Sequence, residues 1–247
     1  MTLLTLANRV YDSALAVVYP QACAICGSSV ESRFDGVACA ACWDATAIFG
    51  AAEPVCWKCG SLSTAKVAES RREHLRCGRC DDDSFNVARA CGNYEGALRA
   101  SVLQLKRQPH VPRRLLELLL TSLRRPPLDH IDLILPVPLH ARRERERGFN
   151  QALVLATALS RAALLPMDEH CLVRKTETHM HRGGMDAKAR RRSVTGAFTV
   201  RHADLIAGRR LLLIDDVFTT GATVSACGAA LKTAGASEVL VLTVARA

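Results

Sequence analysis

The chain has 247 residues, 49% of them hydrophobic and 4% aromatic, with a formal net charge of +9. That length accommodates one large domain, or a domain with a small module, and the scarcity of aromatics argues against a broad base-stacking surface. The basic balance favours an anionic partner, either nucleic acid or a phosphorylated ligand, and no stretch reaches the length of a membrane span.

In chain order, Leu3, Leu6, Val10, Ala14 and Val17 fall at helical spacing. The stretch lacks a basic start and carries Asn8, Arg9 and Asp12. It therefore reads as an amphipathic helix over residues 1–20 and not as a signal peptide, which points to the cytoplasm.

Eight of the eleven cysteines then form four C-x-x-C pairs: Cys23/Cys26, Cys39/Cys42, Cys56/Cys59 and Cys77/Cys80. A C-x-x-C turn sets two thiolates on one side of a knuckle, and two knuckles complete a tetrahedral Zn²⁺ site. Without a secretion signal, zinc is favoured over a disulfide framework. Residues 21–84 are thus expected to form a duplicated ribbon with two structural zinc ions, because four thiolates leave no open position for catalysis. Neighbouring pairs sharing a metal is the simpler grouping; interleaved pairs remain an alternative. Trp43 and Trp57, beside cysteine pairs, are expected to shield the metal. Cys91, Cys171 and Cys227 have no partner at ligand spacing and read as inert thiols. The basic stretch between Ser61 and Arg76 reads as a loop.

From residue 85 to 247, apolar runs alternate with helical patterns, which predicts a parallel α/β sheet. Strands are expected at Val87–Tyr94, Ile131–Leu135, Cys171–Arg174, Leu211–Ile214 and Val239–Ala245. Helices are expected at Gly96–Lys106, Pro112–Leu123, Gly148–Leu164 and Val224–Thr233. After Ile131–Leu135 come Pro136, Val137 and Pro138, then a run containing Arg142, Arg143, Arg145 and Arg147. This run is read as opening a helix, where guanidinium groups can fork onto phosphate oxygens. A further basic cluster includes Lys188, Arg190 and Arg192. His170, His179 and His181 are read as surface residues.

The most informative stretch runs from Arg210 to Ser225. An aliphatic strand ends in Asp215 and Asp216, followed by Val217, Phe218, Thr219, Thr220, Gly221, Ala222 and Thr223 before a helical segment. Strand, small-residue loop and helix N-terminus make an anion site of backbone N–H groups. Two carboxylates beside it can hold Mg²⁺ or accept hydrogen bonds from a sugar diol.

This stretch resembles the 5-phosphoribosyl-1-pyrophosphate (PRPP) motif of type I phosphoribosyltransferases. Together with Pro136-Val-Pro-Leu-His140, Arg145-Glu-Arg-Gly-Phe-Asn-Gln151 and the cysteine pairs, it resembles the ComF family, from about Cys23 to the end. The resemblance implies a double zinc ribbon in front of a type I phosphoribosyltransferase fold and a role in DNA uptake during natural transformation. It implies Asp215 and Asp216 as catalytic residues on the ribose hydroxyls, with the segment from Val217 to Thr223 around the 5-phosphate. The turn at Pro136, Val137 and Pro138 would face the pyrophosphate of Mg²⁺–PRPP. Lys106 and the arginines Arg142, Arg143, Arg145, Arg147, Arg190 and Arg192 would contact pyrophosphate or DNA. His179-Met-His-Arg-Gly-Gly-Met185 departs from the family's Thr-x-x-Gln-x-Gly-Leu stretch. Two functions follow: a phosphoribosyltransferase-like protein using PRPP, or a single-stranded DNA-binding protein in which PRPP is an effector or vestige. Partners on either reading include single-stranded DNA and other competence proteins such as a DNA translocase.

Overall fold

The computed structural model describes residues 21–50, 53–64, 69–175 and 196–247. The helix expected over residues 1–20 and the basic cluster with Arg190 and Arg192 lie outside them.

The ribbon is a duplication down to its backbone hydrogen bonds. In the first half Cys23 N–H donates to Ser28 O at 2.7 Å and Gly27 N–H to Cys23 O at 3.0 Å; in the second, Cys56 N–H donates to Ser61 O at 2.7 Å and Gly60 N–H to Cys56 O at 2.8 Å. Each knuckle is flanked by the same antiparallel bridge, Ala22 to Ser29 and Val55 to Leu62. A short helix, α1 (Ala40–Asp44), carries Cys42 and the buried Trp43. The Trp43 indole N–H donates to Asp35 O at 2.8 Å.

The second unit is a four-stranded parallel sheet of β1 (Val87–Asn93), β2 (Leu133–Pro136), β5 (Arg210–Phe218) and β6 (Glu238–Arg246), in the order β1-β6-β5-β2. Helices α2 (Gly96–Leu105), α3 (Arg113–Leu123), α4 (Ala141–Arg147), α5 (Gln151–Ala163) and α6 (Ala222–Thr233) accompany it. A separate antiparallel pair joins β3 (Leu172–Arg174) to β4 (Phe198–Val200). Strand alternation divides the core. Leu212, Ile214, Leu240 and Leu242 pack with Leu98 and Leu105 of α2, Leu115 and Leu119 of α3, and Leu155 and Leu159 of α5. Leu211, Leu213, Val239 and Val241 pack with Cys227 and Leu231 of α6 and Phe198 of β4. Burial on both faces explains why the central strands read as continuous aliphatic runs.

The ribbon covers the outer edge of β1. Ala88 N–H donates to Lys58 O at 2.6 Å, Phe49 N–H to Cys91 O at 2.8 Å and Asn93 N–H to Ala47 O at 3.1 Å. The strand edge is thereby satisfied instead of exposed.

Two sequence expectations are corrected, and one strand is added. β5 does not end at Ile214 but runs through the acid pair to Phe218, because β6 continues beside it and pairs Asp215 with Thr243 and Phe218 with Arg246. The long helix expected from Gly148 is two helices. Gly148, at φ +85°, ends α4 with its N–H on Glu144 O at 2.7 Å, and the Asn150 side chain starts α5 by accepting from Ala152 N–H at 3.0 Å. The arginines therefore form their own short helix, with Arg145 and Arg147 in its last turn, where positive charge complements the dipole. β4 has only three residues and no periodic signal, and was not anticipated. Among the described residues, no helix is long and apolar enough to cross a membrane.

Candidate functional site

The eight ribbon thiols gather as two neighbouring sets, Cys23/Cys26/Cys39/Cys42 and Cys56/Cys59/Cys77/Cys80, each with ligand atoms within 4.8 Å of one another. This excludes the interleaved grouping. Sγ–Sγ separations are 3.7 Å for Cys26–Cys39 and Cys56–Cys80, and 3.6 Å for Cys59–Cys77. A tetrahedral site with Zn–S bonds of about 2.3 Å has edges of about 3.8 Å, so both sets fit zinc. Their thiols differ in acidity. Burial pushes Cys23 up, yet backbone hydrogen bonds around Cys26, Cys39 and Ile25 outweigh it and leave Cys23 at about 6. Cys42 is pushed up to about 12 by its contact with Cys26 and by burial. A divalent cation lets all four thiols of a set ionise together, and a closed shell of four thiolates gives it a structural role.

The acid pair lies near the carboxyl end of β5, where Asp215 continues the alternation of Leu211 and Leu213 and Asp216 that of Leu212 and Ile214, yet the two carboxyl groups stay close enough to interact. Asp216 meets Lys106, the residue after α2, with Nζ 3.3 Å from Oδ2. Asp215 stands on the α6 face, accepting the Asp216 N–H at 2.8 Å. Part of its surface is accessible, but crowding leaves it poorly solvated. That desolvation, with the adjacent Asp216 charge, raises Asp215 to about 8 against the smaller opposing effects of the Asp216 N–H and Lys106. The pair therefore retains a proton at neutral pH.

Beyond β5, Thr219 is exposed, Thr220 and Thr223 are half-buried, and Gly221 and Ala222 are buried. Thr220 Oγ1 accepts from Ala222 N–H at 3.4 Å at the start of α6. Gly221 adopts φ +77°, and a Cβ there would fall 2.7 Å from Phe218 Cζ. No other residue type fits that turn without strain. Phe218 itself is buried, edge-on to Phe85 at 5.8 Å and beneath the Arg246 guanidinium at 4.6 Å.

The Pro136, Val137 and Pro138 turn is beside the acids: Val137 N–H donates to Ile214 O at 2.9 Å, and Asn150 Nδ2 holds Val137 O at 3.1 Å. Of the arginines on α4, Arg142 pairs with Glu146 at 2.9 Å and Arg147 bonds Gln151, while Arg145 is exposed. Arg143 is half-buried and close enough to Arg174 of β3 to disfavour its charge, after burial, which lowers Arg174 most. Arg174 also feels Asp215. Sequence reasoning missed this cation, because a lone arginine at the end of a short strand carries no signal.

It also missed Asp83. This buried carboxylate from the ribbon–sheet linker reaches the α6 N-terminus, with Oδ2 3.5 Å from the position a Cβ at 221 would take. The adjoining Ser84 N–H donates to Ser225 Oγ at 3.0 Å. Cys227 on α6 is fully buried, and burial followed by the Asp215 charge raises its thiol far above the ordinary range, in keeping with an inert core residue.

A double zinc ribbon domain model matches residues 14–81. The chain is 32% identical over 203 residues to "Competence protein F" of Haemophilus influenzae, spanning 78% of this chain and 85% of that one. It is 30% identical over 230 residues to "DNA utilization protein YhgH" of Escherichia coli, spanning 90% and 95%. Among solved structures, adenine phosphoribosyltransferase from Thermoanaerobacter pseudethanolicus aligns over 54% of this chain and 78% of its own, at 13% identity and a TM-score of 0.34. That last likeness is too slight to carry weight. The two long sequence matches, with the paired four-cysteine sets ahead of a parallel α/β sheet, establish that the chain belongs to the ComF family of competence proteins.

Proposed function

We propose that the protein binds PRPP with Mg²⁺ at the carboxyl end of β5 and acts as a phosphoribosyltransferase-like protein in DNA uptake during natural transformation, in the cytoplasm. The observation that carries this reading is the shared location of an acid pair, a threonine-lined loop entering α6, the Pro136 turn and Lys106. On this reading Thr219 to Thr223 and the N–H groups at the start of α6 hold the 5-phosphate. Asp215 and Asp216 accept the ribose hydroxyls. Val217 and Phe218 contribute backbone, since Phe218 is packed into the core and Val217 is partly buried against it.

Binding of the diphosphate draws Lys106 from Asp216 toward the pyrophosphate beside Pro136, Val137 and Pro138. Arg143 and Arg174 add positive charge from the other side of the acid pair. Asp215 and Asp216 are the residues that would help hold Mg²⁺, which would supply charge to offset that of the leaving group. As the bond from C1 to pyrophosphate breaks and a bond to the acceptor forms, positive charge builds on the ribose, and the carboxylates stabilise it electrostatically.

The names of the relatives support the DNA connection, with single-stranded DNA and other competence proteins, such as a DNA translocase, as the partners. Arg142, Arg145 and Arg147 would neutralise DNA phosphates along the exposed face of α4, joined by Arg190 and Arg192. Incubation with PRPP, Mg²⁺ and a panel of nucleobases tests the enzymatic reading. Release of pyrophosphate with formation of a ribosylated product supports it; bound PRPP recovered intact with every acceptor removes catalysis.

A further inference from the structure

A cavity of about 310 Å³ lies at the junction of both ribbon halves, the outer edge of β1 and the end of α3, and includes no member of the acid pair, its loop or the cysteine sets. It is lined in part by Phe49, Trp57, Arg72, Glu73, Arg89 and Arg125. Three guanidinium groups against one carboxylate give it a positive surplus. Neither Arg89 nor Arg125 has an ion pair among the described residues. Arg89 instead donates to Trp57 O and Ala88 O, both at 2.8 Å, and lies 5.0 Å from the Trp57 ring centroid. Arg125 donates to Phe49 O at 2.9 Å.

Burial lowers Arg89 to about 10, still charged at neutral pH. A half-buried cation with no carboxylate partner gains when an anion arrives, because attraction is strong where water is scarce. The bond each arginine makes to a carbonyl leaves other N–H donors of its fork for a ligand. Two aromatic residues, Phe49 and Trp57, among the lining residues favour a ligand that is flat as well as anionic.

We propose that this cavity binds a nucleoside phosphate, its base against the Phe49 and Trp57 rings and its phosphate on Arg72, Arg89 and Arg125. The volume is at the small end for ligand sites and suits one nucleotide, not a duplex. The ligand is either a free mononucleotide or one nucleotide unit of a single strand. The site stands apart from the PRPP reading and does not depend on it.

Calorimetry on the zinc-loaded full chain with dTMP, dAMP, inorganic phosphate and a twelve-residue oligothymidylate tests this. At least one mononucleotide is expected to bind at least about tenfold more tightly than phosphate, and Arg125→Ala to weaken it by about tenfold or more. The Asp215→Asn/Asp216→Asn double variant should bind it unchanged. Oligothymidylate affinity falling in step with mononucleotide affinity identifies the single strand as the source; mononucleotide loss alone identifies a free nucleotide. Irradiation of wild-type protein with 5-iodo-dUMP keeps the test independent of how the variants fold, and should attach the label to a peptide containing Phe49 or Trp57. Labelling confined to other peptides, no mononucleotide binding, or loss of binding in the acid-pair variant would overturn the proposal.

Discussion

Lys106 Nζ lies 3.3 Å from Asp216 Oδ2, joining the end of α2 to the acid pair of β5. The resemblance pointed to Lys106 as a contact for pyrophosphate or DNA; its position makes it first a counter-ion to a carboxylate. Both roles fit one residue if the lysine changes partner when a diphosphate arrives. Lys106→Met should weaken PRPP binding by about tenfold to a hundredfold, the scale of one charged hydrogen bond, and ribose 5-phosphate binding far less. Calorimetry with the two ligands decides. Equal losses would assign Lys106 to holding the acid pair and not to the pyrophosphate.

Asp215 makes stability depend on pH. Its carboxyl is raised from 3.8 to about 8 by desolvation and then by the Asp216 charge. Well below pH 3.8 this group is neutral in folded and unfolded chains alike and has no effect. As pH rises toward 8 the unfolded chain ionises first, so the folded state loses stability across that window. Asp215→Asn should match wild type near about pH 2.5 and exceed it near pH 8 by on the order of 1–3 kcal/mol, a value discounted for the carboxyl's partial access to water. Thermal melts across this range provide the check, and a pH-independent difference would contradict it.

Asp83 places a negative charge where the 5-phosphate is proposed to bind, beside Gly221 at the start of α6. Asp83→Asn keeps the shape and removes the like charge. Affinity for ribose 5-phosphate should rise by roughly threefold to tenfold, the scale of a charge near a helix terminus. Weaker binding would mean that Asp83 supports the loop instead of opposing the ligand.

The second zinc set is mechanically tied to the same strand. Arg246 donates to Cys59 O at 2.6 Å while its guanidinium covers Phe218 at 4.6 Å. Cys59→Ser should lower zinc content from two ions per chain to one, measured by mass spectrometry of the native protein. It should also destabilise the whole chain by more than about 4 kcal/mol, in the range that loss of a metal site produces. A melting transition that splits, leaving the sheet unchanged, would show that ribbon and sheet are energetically independent.

Much of the architecture was legible because its signals are local. Leu211–Ile214 and Val239–Ala245 are aliphatic runs that only a strand buried on both faces requires, and C-x-x-C knuckles announce their chemistry by spacing. The acid pair and Thr219–Thr223 were legible for the same reason. What escaped was set by distant neighbours. β5 extends to Phe218 because β6 lies beside it, and Asp216 finds Lys106 across more than a hundred residues of chain. Asp83 and Arg174 reach the site only through the packing of the linker and of β3. The helix break at Gly148 was misjudged because apolar spacing does not register a single left-handed glycine followed by an asparagine cap.

Calorimetric titration of PRPP with Mg²⁺ into wild-type protein and into the Asp215→Asn/Asp216→Asn variant, both zinc-loaded, addresses the account most directly. The account predicts saturable binding by wild type and a loss of about a hundredfold or more in the variant, whose amides keep the shape but not the charge. Equal affinity in the two proteins would contradict it.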